Sequence, residues 1–300
     1  MKTLAQAMLM VGLSLSFSIA ATACPLDSGA EIPFTVEKGH LIVSAKIKGN
    51  TTVEVVLATG AEQSLINGNL LEKYKLQASY GADGIVTGSH LDKIKFFVRM
   101  SEVRLGEIKA TDLLMGLGGA AAGQISERVG REIFAILGAD FFKGRVVQFD
   151  FGKKVLRLLK QAPARLPSST GATQQLAALR MTPSAQPVQL PITEEATLNG
   201  KKLKTVFDTG ALTVISLTPT ATKQLGLTPP PDKGPPRPDK ISSIRFGEIE
   251  FADLPVTLHA KGSDFDRDSK GYGVVVGVAV IQNFVITFDF HDGVIVLERL

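Results

Sequence analysis

Val206-Phe207-Asp208-Thr209-Gly210-Ala211 is the stretch on which the reading of this 300-residue sequence turns. Two apolar residues run into an Asp, and Thr-Gly follows. This reads as a strand entering a tight turn, because glycine lets the backbone curve beneath the carboxylate. The stretch has a copy upstream: Val53-Glu-Val-Val-Leu-Ala-Thr-Gly-Ala61 matches Lys204-Thr-Val-Phe-Asp-Thr-Gly-Ala211. Three further blocks repeat in the same order. Leu105-Gly-Glu-Ile-x-x-x-Asp-Leu113 matches Phe246-Gly-Glu-Ile-x-x-x-Asp-Leu254. Ile136-Leu137-Gly138 matches Val275-Val276-Gly277, and Val147-Gln-Phe-Asp-Phe151 matches Ile286-Thr-Phe-Asp-Phe290. The spacing between copies is 150 residues at Ala58 and Asp208, 141 at Gly106 and Gly247, and 139 at Gly138 and Gly277. Four matched blocks in one order mean two tandem units.

Each unit reads as β-rich. Val53–Leu57, Val146–Phe151, Val155–Leu159, Phe284–Phe290 and Val294–Leu297 are short runs of Val, Ile, Leu and Phe between Gly or charged turns. Helix is limited. Thr218-Pro219 before Gly226 supplies a cap, a first-turn Pro and a terminator. Ile125, Val129 and Ile133 recur at helical spacing. Residues 160–187, rich in Ala, Pro, Ser, Thr and Gln, read as a linker between a first unit at 30–159 and a second at 188–300. The six prolines of 229–238 read as a stiff surface loop.

With these blocks the sequence resembles the aspartic protease superfamily, in particular the retropepsin-like bacterial proteins with two tandem units. The resemblance implies an all-β fold: two closed acid-protease barrels about a pseudo-twofold axis, with a peptide-binding cleft between them. It implies that Asp208 is catalytic, that Thr209 and Gly210 shape its turn, and that Thr59 and Gly60 shape the partner turn. Each Thr hydroxyl would bond to the opposite loop. It also implies a peptide or protein substrate and no cofactor or metal. Family chemistry uses two carboxylates that share one proton, since like charges about 3 Å apart cannot both ionise.

The sequence departs from that chemistry at its centre. Ala58 stands where the first Asp belongs, and a methyl group neither accepts a proton nor binds water. Three readings follow: a weak or inactive member that binds peptides, a homodimer that pairs two Asp208 turns, or a substitution or variant in an ordinary protease. A monomer is expected over a dimer. The resemblance makes Glu62 a holder of substrate backbone, with Leu212 at the matching place in the second unit. It makes Tyr80-Gly-Ala-Asp-Gly-Ile-Val-Thr-Gly88, with Tyr80, Gly81 and Gly84, a closing flap. Nine fewer residues separate the matching blocks in the second unit, so one flap is expected.

Composition bounds the rest. Lys and Arg number 33 against 29 Asp and Glu, and this net +4 is scattered, so nucleic acid is not an expected partner. Residues 1–23 read as an export signal: Lys2, an apolar run, then Ala21-Thr22-Ala23. The single Cys24 follows directly and is a lipidation candidate, so a periplasmic or membrane-anchored location is expected. Four dispersed His lack ligand spacing. Gly116 to Gly123 reads as a flexible loop, Asp264-x-Asp266-x-Asp268 as a solvated turn, and Asp150 and Asp289 as structural turn residues.

Overall fold

The computed structural model describes residues 30–80, 94, 96–117, 121–163, 175–183, 188–269 and 271–300. Residues 1–23, read above as an export signal, and Cys24, Gly81 and Gly84 lie outside them. In the first unit the strands are β1 (Ile32–Glu37), β2 (His40–Ile47), β3 (Thr51–Leu57), β4 (Leu65–Ile66), β5 (Ser79–Tyr80), β6 (Phe96–Leu105), β7 (Ile108–Leu117), β8 (Ala135–Leu137), β9 (Val146–Asp150) and β10 (Val155–Leu159). Helices α1 (Ala121–Val129) and α2 (Ala139–Phe142) flank β8. β11 (Gln175–Arg180) follows. The second unit holds β12 (Ile192–Thr193), β13 (Ala196–Leu198), β14 (Lys201–Lys202), β15 (Thr205–Phe207), β16 (Ile215–Leu217), β17 (Arg237–Phe246), β18 (Ile249–Leu258), β19 (Val274–Val276), β20 (Phe284–Asp289) and β21 (Val294–Arg299). Its helices are α3 (Pro219–Gln224), α4 (Asp264–Asp268) and α5 (Val278–Ile281).

The copies fold alike. β3 runs parallel to β8, with Leu57 opposite Leu137, and β15 runs parallel to β19, with Phe207 opposite Val276. β4 and β16 then pair antiparallel with those same inner strands. In the first unit the side chains alternate between two cores. Val55, Leu57 and Leu137 enter the main core, while Val56, Ala58 and Ile136 face a smaller cluster under α1, with Ile42, Ala122 and Ile133.

The units share a sheet. β9 pairs antiparallel with β20, and Gln148 lies opposite Thr287. These two residues are 139 apart, the same spacing as the Gly138 and Gly277 blocks, so the pseudo-twofold axis passes between them. Phe149 meets Phe288 edge-on at 5.8 Å across the same seam. On the opposite face of these strands lies a buried polar chain. Arg157 Nη1 donates to Asp150 Oδ2 at 3.2 Å and to Gln148 Oε1 at 3.1 Å. Gln148 Nε2 donates to Thr287 Oγ1 and to Glu298 Oε2, each at 3.2 Å.

Several sequence expectations need correction. The linker 160–187 contains β11, which joins the shared sheet beside β21, with Ala177 and Leu179 buried. The Gly116–Gly123 stretch is no simple loop: it begins inside β7 and ends inside α1, where Gly123 is buried. Asp264 to Asp268 is a helix, capped by Ser263 Oγ accepting from Asp266 N. Ile133 lies beyond the end of α1. The Thr218 cap is as expected: its side chain accepts from Ala221 N, and α3 ends before Gly226 at positive φ. The Pro-rich run is pinned by Lys233 N donating to Lys261 O.

Candidate active site

The two Thr-Gly turns meet each other between the units. Each is closed by a backbone bond, Ala61 N to Ala58 O at 3.1 Å and Ala211 N to Asp208 O at 3.2 Å. Each is tied to its own inner strand: Ala58 N donates to Leu137 O, and Asp208 N to Val276 O, both at 2.9 Å. Gly138 and Gly277 pass directly beneath the turns. A Cβ on Gly138 would lie 2.6 Å from Ala61 O, and one on Gly277 would collide with Thr213 O, so only glycine fits.

The threonines lock the turns to each other. Thr59 Oγ1 donates to Phe207 O at 2.9 Å, and Thr209 Oγ1 donates to Leu57 O at 3.0 Å. In return, Thr209 N donates to Thr59 Oγ1 and Thr59 N to Thr209 Oγ1, both at 3.1 Å. Both threonines are fully buried. Four hydrogen bonds engage both hydroxyls and both backbone N–H groups of the pair, which offsets the cost of burying them.

Asp208 sits on this lock with part of its surface open. Its Oδ1 accepts from Gly210 N at 2.7 Å and, across the axis, from Gly60 N at 3.0 Å. Those two donors favour the ionised form. Burial outweighs them and holds the carboxyl above the usual Asp range. Ala58 occupies the equivalent place. A Cβ on Gly210 would lie 2.6 Å from Ala58 Cβ, and one on Gly60 would lie 2.6 Å from Asp208 Cβ. Ala58 and Asp208 therefore hold matching places over opposed glycines and differ by one carboxyl group.

The other candidates are placed as follows. Glu62 follows the first turn, half-buried, and burial pushes its carboxyl up. Leu212 is 39% exposed and touches the β1–β2 hairpin tip at Gly39. Tyr80 is 63% exposed and meets Phe96 edge-on at 5.7 Å, where β5 pairs with β6. In the second unit, residues 225–236 contain no strand, and among the described residues β17 pairs with β13 and β18.

Sequence reasoning missed Asp140. Its Oδ1 accepts from Ser64 Oγ at 2.6 Å and its Oδ2 from Ser64 N at 2.9 Å, while Ser64 Oγ accepts from Gly138 N at 3.0 Å. This braces the first turn against its inner strand, and burial raises the Asp140 carboxyl. The signal was an Asp two residues after Gly138, where the second copy has Ala279. Also missed was a grouping on the second hairpin of the shared sheet: Asp289, His291 and Asp292 offer ligand atoms within 4.8 Å of one another. Asp289 Oδ1 there accepts from His291 N and Asp292 N, a turn-capping role.

Residues 43–141 match the family model described as "Aspartyl protease". In fold the chain is similar to the crystal structure of aspartic proteinase from Irpex lacteus, at 12% sequence identity and a TM-score of 0.50. That likeness covers 90% of this chain and 97% of the other. The first unit thus carries the aspartyl protease family pattern, and the chain as a whole has the fold of an aspartic proteinase. No curated protein sequence matches it. The matched segment lies within the first unit, the one with Ala58, so the family pattern persists there without the acidic residue.

Proposed function

We propose that this protein binds peptides as an aspartic endopeptidase does, and that hydrolysis is weak or absent because its cleft holds one carboxylate. One observation carries the reading: Asp208 Oδ1 gathers both turn N–H groups, from Gly210 and Gly60. A symmetric dyad would leave each glycine serving its own carboxylate. Asp208 can take a proton from water as a general base. Nothing at position 58 then donates to the peptide carbonyl as charge develops on it, and that contribution is about 10²–10⁴-fold in rate. Glu62 would hold substrate backbone, and the Tyr80–Phe96 pair would offer an apolar face to it.

The closure of both turns within one chain supports a monomer over a pairing of Asp208 turns from two chains. We further read the leader as directing export in a bacterium, with Cys24 as a lipid attachment point; the support is the sequence of residues 1–24. The test is a peptide-library cleavage assay from acid to neutral pH on the native chain, Asp208→Asn and Ala58→Asp. The expected result is strong cleavage by Ala58→Asp alone. Native cleavage at comparable rates would overturn the reading.

A further inference from the structure

We propose that the space beside Ala58 binds a protonated carboxyl group, from a small free acid or from an acidic peptide, which pairs there with Asp208. The proposal rests on the one-carboxylate cleft described above. Three observations support it.

The first is stoichiometric. Ala58 and Asp208 lie at matching separations over opposed glycines. Their side chains differ by the three heavy atoms of one carboxyl group, and formic acid consists of those three heavy atoms. The second is the hydrogen-bond pattern. Both glycine N–H groups converge on Asp208 Oδ1, and among the described residues no hydrogen bond reaches Oδ2. Asp208 therefore keeps an acceptor for an acid O–H. The third is the surroundings. The Ala58 methyl belongs to an apolar cluster with Ile42, Val56, Ala122, Ile133 and Ile136. Such a wall disfavours a second anion, so a guest enters protonated, and the two carboxyls hold one proton between them. The upward push on the Asp208 carboxyl fits a site that retains a proton.

The completed pair is chemically sufficient. Asp208 takes a proton as the water O–H bond breaks, and the water oxygen bonds to the peptide carbon. The guest acid passes its proton to the carbonyl oxygen. On collapse the C–N bond breaks, Asp208 returns its proton to the departing nitrogen, and the guest anion recovers a proton from the diol. Asp208 ends as the carboxylate and the guest as the acid, as each began, and water is the sole co-reactant.

The probe is formate, with a peptide lacking acidic groups and both ends blocked. Saturating formate is expected to raise native cleavage about tenfold or more, most strongly at acid pH. Asp208→Asn and Ala58→Val, the latter filling the space with methyls, are expected to lose the response. Ala58→Asp is expected to cleave without formate and gain nothing from it. The source is distinguished without formate: paired peptides with Glu or Gln beside the scissile bond show whether a peptide carboxyl serves. Cleavage by Ala58→Asp with no promotion of the native chain by formate or by Glu would overturn the proposal while leaving the cleft reading intact. Inertness of Ala58→Asp would overturn the cleft reading instead, and line broadening of 13C-formate then decides the site. Saturable broadening lost in Asp208→Asn and Ala58→Val supports it. Equal broadening in all three forms overturns it.

Discussion

At Asp208 two backbone donors pull the carboxyl towards ionisation and the surrounding protein pushes it back, with burial the larger effect. The sign for stability follows. The unfolded chain releases this proton near the usual Asp value of about 3.9. The folded chain holds it to higher pH. Above about pH 3.9 the native state thus binds more protons than the unfolded one, and its stability falls as pH rises until the folded carboxyl also ionises. Asp208→Asn keeps the shape and both N–H bonds but removes the titration. Its melting temperature is expected to match the native chain at pH 3 and exceed it at neutral pH. A difference independent of pH would contradict this. Ala58→Asp adds a second buried acid, so the activity gained is expected to accompany a lower melting temperature at neutral pH.

At the scale of elements, the turns are held by threonines and by glycines on the strands beneath. Thr209→Val removes the hydroxyl that donates to Leu57 O and accepts from Thr59 N, leaving two buried groups unpaired. The expected cost is about 2–4 kcal/mol by urea unfolding. Thr59→Val is expected to cost a similar amount, and the double variant less than the sum, because the two residues form one network. Gly277→Ala forces a methyl into Thr213 O, and a loss of about 3 kcal/mol or more is expected by the same measurement. These features were legible in the sequence, because Thr-Gly and apolar-apolar-Gly recur in both units. β11 was not. Gln175-Leu-Ala-Ala-Leu-Arg180 has no β-branched residue, and it becomes a strand because β21 presents an edge to pair with. Asp140 was also hidden, since its partner Ser64 is 76 residues away and meets it only once β8 has folded.

For the whole molecule, the seam between units is the decisive feature. Arg157 bridges Asp150 and Glu31 and supports Gln148 in a layer where Gln148, Asp150, Arg157 and Glu298 are each under 10% exposed. Arg157→Met leaves Asp150 without its buried partner, and a loss of about 3–5 kcal/mol is expected by denaturant unfolding. One cooperative transition is expected, since the units share a sheet; two separate transitions would mean that they fold independently. The tandem organisation was readable from repeat order, whereas the shared sheet was not. The sequence shows that Val147–Phe151 and Ile286–Phe290 are copies, but only the fold shows that copy pairs with copy.

The pairing of Gln148 with Thr287 has a mechanical consequence. Two lobes joined by a covalent tether alone can open and shut like jaws. Here continuous main-chain bonding crosses the midline, and a clamshell motion would tear β9 from β20. Guests of different bulk must therefore be accommodated by shifts of loops and side chains around a fixed floor. Small-angle scattering is expected to give the same radius of gyration with the cleft filled or empty.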